Sequence, residues 1–400
     1  MSAASWSPLI SIVIPTRDRP EFAAIALKSL IRQSFQDFEI IVSDNALQQR
    51  FVPDPRVFDN DRVRYVRPPK PLWMTDHYEF AVAQARGRYV GVLGDKAVLV
   101  SGALKLVAAE IQKDSPEAIS WRVGNFQPAT RDLCGQGVLS VQSAPSGRAV
   151  KVPAAEALEY LIATYLEPNF EADHQLEIRG SIYHGVFSAA LLSAMKERFG
   201  RIFRFYAPDI SAQCAAMQIA KAVTYIPRPL ELVISGPSNG FSVVHRVSQL
   251  LGTQAEAASG ASGASPPLIP NVSSSNAHLL ASDIVAVSGR TLRRDQWIEL
   301  HARAMYDLHY ISDWPDASFR RSQLLALRKS AAFFEPEVRH RMRQEAWKAS
   351  YRRARALAVA QIRSHAGFLE QGLRRIQWRH DTSTERRSFD HLFVALDMTA

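Results

Sequence analysis

Three short apolar runs in the first hundred residues each stop at a carboxylate, and that recurrence leaves the chain few architectures to choose from. Leu9-Ile10-Ser11-Ile12-Val13-Ile14 is followed by Pro15, Thr16, Arg17 and Asp18. Phe38-Glu39-Ile40-Ile41-Val42 runs into Ser43-Asp44-Asn45, and the run from Tyr89 stops at Asp95-Lys96 before reaching Leu99. Runs of this length, rich in β-branched residues, predict buried strands. Between them, Phe22, Ile25, Ala26 and Leu30 recur at helical spacing, Val63-Arg64-Tyr65-Val66 alternates like a shorter strand, and Asp76 to Ala85 reads as a helix. Asp18 with Glu21 resembles a capping box, and Pro20 suits a first helical turn. Strand, helix, strand, strand, helix, strand predicts a largely parallel sheet with helices on its faces. Ligands of such sheets bind beyond the carboxyl ends of the strands, so Thr16 to Asp18, Asp44 and Asp95-Lys96 are expected on one edge.

Downstream the pattern is less regular. Ser101 to Gln112 and Ala154 to Tyr165 read as helices, and residues 121–153 as mixed strands and loops without an assigned register. Ser188 to Phe199 reads as a helix stopped by Gly200. Ala207-Pro208-Asp209 precedes a helical pattern through Ala220, and Thr224 to Pro227 is a short strand. Gly252 to Pro267 is rich in Ala, Gly and Ser, as linkers are. Beyond about Ser275 the pattern is mainly helical. The expected divisions are a first half at 1–100, a second at 101–250, a linker at 251–275 and a basic helical region at 276–400.

Composition narrows the classes. A hydrophobic content of 47% is enough for sizeable cores. The N-terminus lacks a basic region followed by an apolar core, and no apolar run reaches ~18 residues, so neither a secretory leader nor a spanning helix is expected. Cys134 and Cys214 stand alone, without metal or redox spacing, which suits a reducing cytoplasm. Residues 320–387 hold 17 Lys/Arg against 6 Asp/Glu, more than the whole chain's net charge of +9. That stretch suits an anionic membrane surface as a peripheral contact, or the solvated face of ordinary helices. Nucleic acid is not the expected partner, because the aromatic residues there form no stacking pattern.

The text of the first hundred residues resembles family 2 glycosyltransferases of the GT-A fold. The matching segments are Ser11 to Arg19, Ser29 to Ser34, Glu39 to Asn45 and Ala85 to Asp95, in order and at the right spacing. A second match joins His184 to Ser188, Tyr206 to Asp209 and Tyr225 to Leu230, so the resemblance spans roughly residues 8–245. It implies an α/β fold of the GT-A type, a Rossmann-like, mostly parallel sheet flanked by helices, followed here by a mainly helical C-terminal region. It also implies transfer of a sugar from a nucleotide sugar to a hydroxyl.

By resemblance, Pro15, Thr16, Arg17, Asp18 and Asp44 hold the nucleoside and Asp95 belongs to the nucleotide-sugar site, to which this chain's own Lys96 is expected to add a positive charge. A carboxylate suits that position because it accepts from a base imide or a ribose hydroxyl. Asp209 matches the general base, which an acceptor hydroxyl needs as it attacks. The family places several aspartates after the strand that ends at Asp95, one of which helps bind a divalent cation. Here the text is Gly94-Asp95-Lys96-Ala97. Mg or Mn would have Asp95 and the distant His245 as candidate ligands, and hard divalent ions want more oxygen than that. Lys96 is the alternative source of positive charge for the leaving diphosphate.

Two functions therefore compete. The first is an inverting glycosyltransferase acting on a glycan or lipid-linked acceptor of a polysaccharide or cell envelope. The second is a nucleotide-sugar-binding protein whose depleted acidic cluster no longer supports transfer.

Overall fold

The computed structural model describes residues 7–52, 60–128, 136–142, 147–166, 179–204, 208–234, 292–310, 336–344 and 382–388, with single residues at 318, 321, 325 and 347. The predicted linker and His245 lie outside the described residues, as does the segment Arg352 to Trp378.

The three carboxylate-ended runs stand side by side toward one end of the sheet, with only the Val63–Val66 strand beyond them. Strands β1 (Ile10–Thr16), β2 (Phe38–Asp44), β3 (Val63–Val66) and β4 (Tyr89–Val92) stand in the spatial order 4-1-2-3. All three of these pairings are parallel, and Thr16 is in register with Asp44. Strands buried on both faces must be apolar throughout, and each of β1, β2 and β4 is buried at every position. Alternate residues of β1 face opposite layers. Ile10, Ile12 and Ile14 pack with helices α1 (Pro20–Ile31) and α3 (Ala103–Asp114), through Phe22, Leu27, Leu30, Leu104 and Ile111. Val13, with Ile41 and Val90, faces α2 (Met74–Val82), α4 (Ala154–Leu166) and α5 (Ala189–Phe199) instead. Each fully buried Ile or Leu contributes about 1.5–3 kcal/mol relative to its exposed state.

The second half continues the same sheet with opposite polarity at many joints. After a turn at Asp95-Lys96 the chain makes the short β5 (Ala97–Leu99). β6 (Ala118–Pro128), β7 (Gln136–Gln142), β8 (Val150–Pro153) and β9 (Gly185–Ser188) follow, then β10 (Ala222–Ile234). β9 is antiparallel to both β4 and β6, and so ties the two halves together. β10 runs parallel to β6 and antiparallel to β5 and β8. The region predicted only as mixed strands thus holds three strands, and the short strand predicted at Thr224 is 13 residues long. Pro227 and Pro229 did not stop it, because the β6 register shifts there and absorbs the missing donors.

Helix ends follow their local chemistry. Ser188 caps α5, its hydroxyl accepting from the Leu191 N–H at 3.1 Å, and Gly200 ends it at φ 76°, as its sequence predicts. The capping box at α1 is a correction. Arg19 is the N-cap and Pro20 the first helical residue, while Asp18 sits at φ 54° and turns its carboxylate toward another loop. The C-terminal region is helical at α7 (Arg294–Tyr310), whose Leu300 joins the core under α4, and at 336–344. It also returns to the sheet as β11 (Thr382–Ser388), antiparallel to β7.

Candidate active site

At the carboxyl ends of β1 and β2 the loop after β1 and the loop after β2 are sewn to each other. One oxygen of Asp18 accepts from three consecutive backbone N–H groups, Leu47 at 2.9 Å, Gln48 at 2.7 Å and Gln49 at 2.9 Å. These bonds and the nearby Arg17 outweigh burial and hold its carboxyl below the usual range. Asp44 is fully buried, and its oxygens accept from Ala46 N (2.9 Å), Phe51 N (3.1 Å) and the Tyr65 hydroxyl (2.8 Å). Burial, then Asp44 itself, lifts that phenol to about 12, so it stays a donor. Asn45 clamps Leu72 from both sides, N–H to side-chain oxygen and side-chain N–H to carbonyl, each at 2.8 Å. Arg17 reaches the same Leu72 carbonyl at 3.5 Å. Pro15 is buried in β1 opposite Ser43.

Asp95 sits beside this cradle, 3% exposed. Arg19 grips it with both prongs of its guanidinium, Nε to Oδ2 at 3.0 Å and Nη2 to Oδ1 at 2.7 Å, and Thr16 donates to Oδ2 at 3.0 Å. Such a bidentate pair is the strong form of the contact. Burial raises the Asp95 carboxyl, while Arg19, Thr16 and Lys96 pull it down. The half-buried Lys96 is lowered by burial and by Arg19, with Asp95 opposing. The sequence-based candidates Thr16 and Asp95 are therefore in direct contact. Asp18 and Asp44 serve the adjoining loops, one oxygen of Asp18 on three backbone N–H groups and those of Asp44 on two N–H groups and the Tyr65 phenol.

These residues do not fit a divalent cation. Both Asp95 oxygens are engaged by Arg19, a second cation follows at Lys96, and among the described residues no group of three or more His, Cys, Asp or Glu could hold a metal ion.

Asp209 is the second residue of α6 (Pro208–Met217), within the positive end of the helix dipole. It lies close enough to the Asp95 group that both carboxylates act on the titration of the same two tyrosines, Tyr78 and Tyr183. Their rings are stacked, with centroids 5.3 Å apart. Burial raises the Asp209 carboxyl, against the first N–H groups of α6 and against His184. His184 in turn is hydrogen-bonded through Nδ1 to Glu231 at 3.0 Å, and Glu231 takes a second bond from Trp121 Nε1 at 3.0 Å. In the sequence His184 stood out only as the start of a matching segment, and Glu231 did not stand out at all. The signal was a lone carboxylate inside the apolar text Leu230-Glu231-Leu232, which a strand buries only with partners.

Part of the chain is similar to known proteins. Residues 11–133 match the model of Glycosyl transferase family 2. A relative from Campylobacter jejuni, GalNAc(5)-diNAcBac-PP-undecaprenol beta-1,3-glucosyltransferase, is 32% identical over 107 residues, covering 24% of this chain and 32% of its own. An uncharacterized protein of Sinorhizobium fredii is 31% identical over 99 residues, covering 24% of this chain and 11% of its own. The chain thus spans a third or less of the length of these curated relatives. Among solved structures, S. aureus TarS 1-349 in complex with UDP aligns with a TM-score of 0.45 at 12% identity, over 85% of this chain and 91% of that one. The TarS 1-349 complex with UDP-GlcNAc gives 0.44 at 13%, over 81% and 91%. Residues 11–133 of the chain are thus similar to a family 2 glycosyltransferase domain. No helix among the described residues is long and apolar enough to cross a membrane.

Proposed function

We propose that the protein is an inverting glycosyltransferase that moves a sugar from a nucleotide sugar to a hydroxyl of a glycan or lipid-linked acceptor, with Asp209 as general base. The observation that carries this reading is a half-buried carboxylate at a helix start, its pKa raised by burial, in a chain whose Thr16–Arg19–Asp95 group lies in the part that matches the family 2 model. The acceptor class is supported by the C. jejuni relative, whose name gives a polyprenol-diphosphate-linked glycan as its substrate. The basic stretch 320–387 suits the anionic surface on which such an acceptor would be met.

In the reaction, Asp209 takes the proton of the acceptor hydroxyl as its oxygen bonds to the anomeric carbon. The bond from that carbon to the diphosphate breaks on the opposite face, and its electron pair leaves with the diphosphate. A single base on the attacking side gives inversion. The transition state carries oxocarbenium character, by analogy with glycoside hydrolysis. Negative charge gathers on the diphosphate, and fixed cations stabilise it there without reorganising. Lys96 and the outer face of Arg19 supply that charge in this reading, and no divalent ion is required.

The test is release of nucleoside diphosphate from a panel of nucleotide sugars with undecaprenyl-diphosphate-linked glycans as acceptors, with and without EDTA. Turnover that survives EDTA and falls in Lys96→Ala supports the reading. Loss of activity in EDTA with recovery in manganese, and an unaffected Lys96→Ala, refutes the metal-free part. Tight nucleotide-sugar binding with no turnover for any donor or acceptor favours the binding-protein alternative, toward which the Arg19-locked Asp95 points.

A further inference from the structure

The approach to the base-bearing helix α6 is held from outside, by α2. Gly200 closes α5, and residues 201–204 beyond it lie in no helix or strand. Ile202 and Phe203 are nonetheless buried, so their backbone N–H groups need partners. One atom supplies both. Oε1 of Glu79, on α2, accepts from Ile202 N at 2.6 Å and from Phe203 N at 2.7 Å. Bonds from N–H groups to a carboxylate are the strong, charge-assisted kind. Asp76, one turn earlier on the same face of α2, pairs with Arg201. The Tyr78 ring meets the Phe203 ring edge-on, with centroids 5.6 Å apart.

The next residue carries this hold into α6. Arg204 N donates to the Ser211 hydroxyl at 3.0 Å, and that hydroxyl donates to the Pro208 carbonyl at 3.2 Å. The Pro208 carbonyl belongs to the peptide unit that joins Pro208 to Asp209. On its other side α2 is fixed to the carboxyl end of β2. Asn45 clamps Leu72, two residues ahead of α2, by two bonds of 2.8 Å, and His77 Nε2 lies 2.9 Å from the Ser43 hydroxyl. One face of α2 is thus seated beside Asp44, and another grips the loop before Asp209.

We propose that Glu79 is a positioning residue for transfer: through it α2, seated at the nucleotide end of the sheet, fixes the approach to α6 and so sets Asp209 against the donor. This rests on Asp209 being the general base. A base acts only within hydrogen-bond reach of the proton it takes, and a misplacement of about 1 Å can cost about 100-fold in rate. The loops around Asp18, Asp44 and Asp95 are held by bonds that do not involve Glu79. Nucleotide binding and turnover should therefore part when Glu79 is changed.

The test uses the full-length protein, the donor selected from the nucleotide-sugar panel, and its nucleoside diphosphate in calorimetry. Glu79→Ala should lower kcat by about 10- to 100-fold, with donor KM and nucleotide affinity within about twofold of the parent. Glu79→Gln keeps an oxygen in place for both N–H groups and should recover most of the loss. In an Asp209→Asn background the placing of the base no longer matters, so adding Glu79→Ala should cost less than about twofold more. Equal losses with and without the Asp209 carboxylate would overturn the proposal, as would a parental kcat in Glu79→Ala.

Hydrogen exchange of the 201–204 segment, read by mass spectrometry, needs no turnover. It should quicken at least about tenfold in Glu79→Ala and stay near parental in Glu79→Gln. Unchanged exchange in Glu79→Ala overturns the proposal. If Glu79→Ala does not fold, Ser211→Ala breaks the link one step further on. The same loss of kcat is expected there, and a parental kcat overturns the proposal. Normal turnover by Asp209→Asn alone would instead refute the base assignment, whereas additive losses on top of an inactive Asp209→Asn refute only the role of Glu79.

Discussion

The carboxylates of the first half and the carboxylate of the second half are built in opposite ways. Asp18 spends one oxygen on three backbone N–H groups, Asp44 is saturated by two N–H groups and a phenol, and Asp95 is locked in the Arg19 fork. All three hold loops in shape. Asp209 is raised by burial, against the first N–H groups of α6. The contrast teaches that position at a strand end does not make a carboxylate reactive. A saturated carboxylate is a weak base and a good strut, whereas a desolvated one retains the basicity that proton transfer needs.

Four substitutions or conditions probe that division, the largest effect first. Asp209→Asn removes the proton acceptor at nearly constant size and should cut turnover by about 100- to 10,000-fold while leaving donor binding intact, as measured by steady-state kinetics beside calorimetry. If the mutant transfers normally, the reactive carboxylate is not in the second half, and the contrast fails. Arg19→Ala strips the partner from a buried carboxylate, and urea denaturation should show a loss of about 3–5 kcal/mol. A loss well under 1 kcal/mol would mean that Asp95 is not a strut.

The third is a pH effect. His77 is 3% exposed, with Nε2 2.9 Å from the Ser43 hydroxyl on β2, and burial, aided by Arg17, holds it down at about 4. The unfolded chain binds a proton near 6.5 that the folded chain refuses until about pH 4, so stability falls as pH drops through that window. The loss should total about 3 kcal/mol and should shrink in His77→Gln, as denaturation midpoints at pH 7.5 and 4.5 would show. A wild-type curve that is flat between those values would contradict it. The smallest effect is that of Asp18→Ala, which frees three N–H groups in a loop that water reaches. About 1 kcal/mol of stability is expected to go, with a matching weakening of nucleotide binding by calorimetry. A nucleotide affinity that falls without any change in stability would move Asp18 from strut to ligand and sharpen the division.

Much of the first half was legible in the sequence, because there the signals are local. Ile12, Ile40 and Val90 sit in unbroken apolar text, which a parallel strand buried on both faces requires, and the polar stops at Thr16, Asp44 and Asp95 mark the sheet edge. Gly200 and Ser188 gave the ends of α5 by the same local chemistry. The second half was harder to read. β7 pairs on one side with β11 and β8 with β10, partners far along the chain, and β10 passes through two prolines because β6 shifts register beside it. Asp18 shows the limit most plainly. Its spacing to Glu21 spells a helix cap, yet three N–H groups from the loop after β2 offered its carboxylate a better set of partners.

The sequence by itself determined the alternation of strand and helix, the edge on which the polar residues gather, and the placing of Asp209 at a helix start. Those depend on periodicity and on neighbours within a few residues. Which carboxylates are struts and which one keeps its basicity was decided by the tertiary structure alone. Arg19 reaches Asp95 across 76 residues, Glu231 reaches His184 across 47 and Trp121 across 110. Desolvation and charge pairing are properties of the space around a side chain, and that space exists only once the distant strands have closed around it.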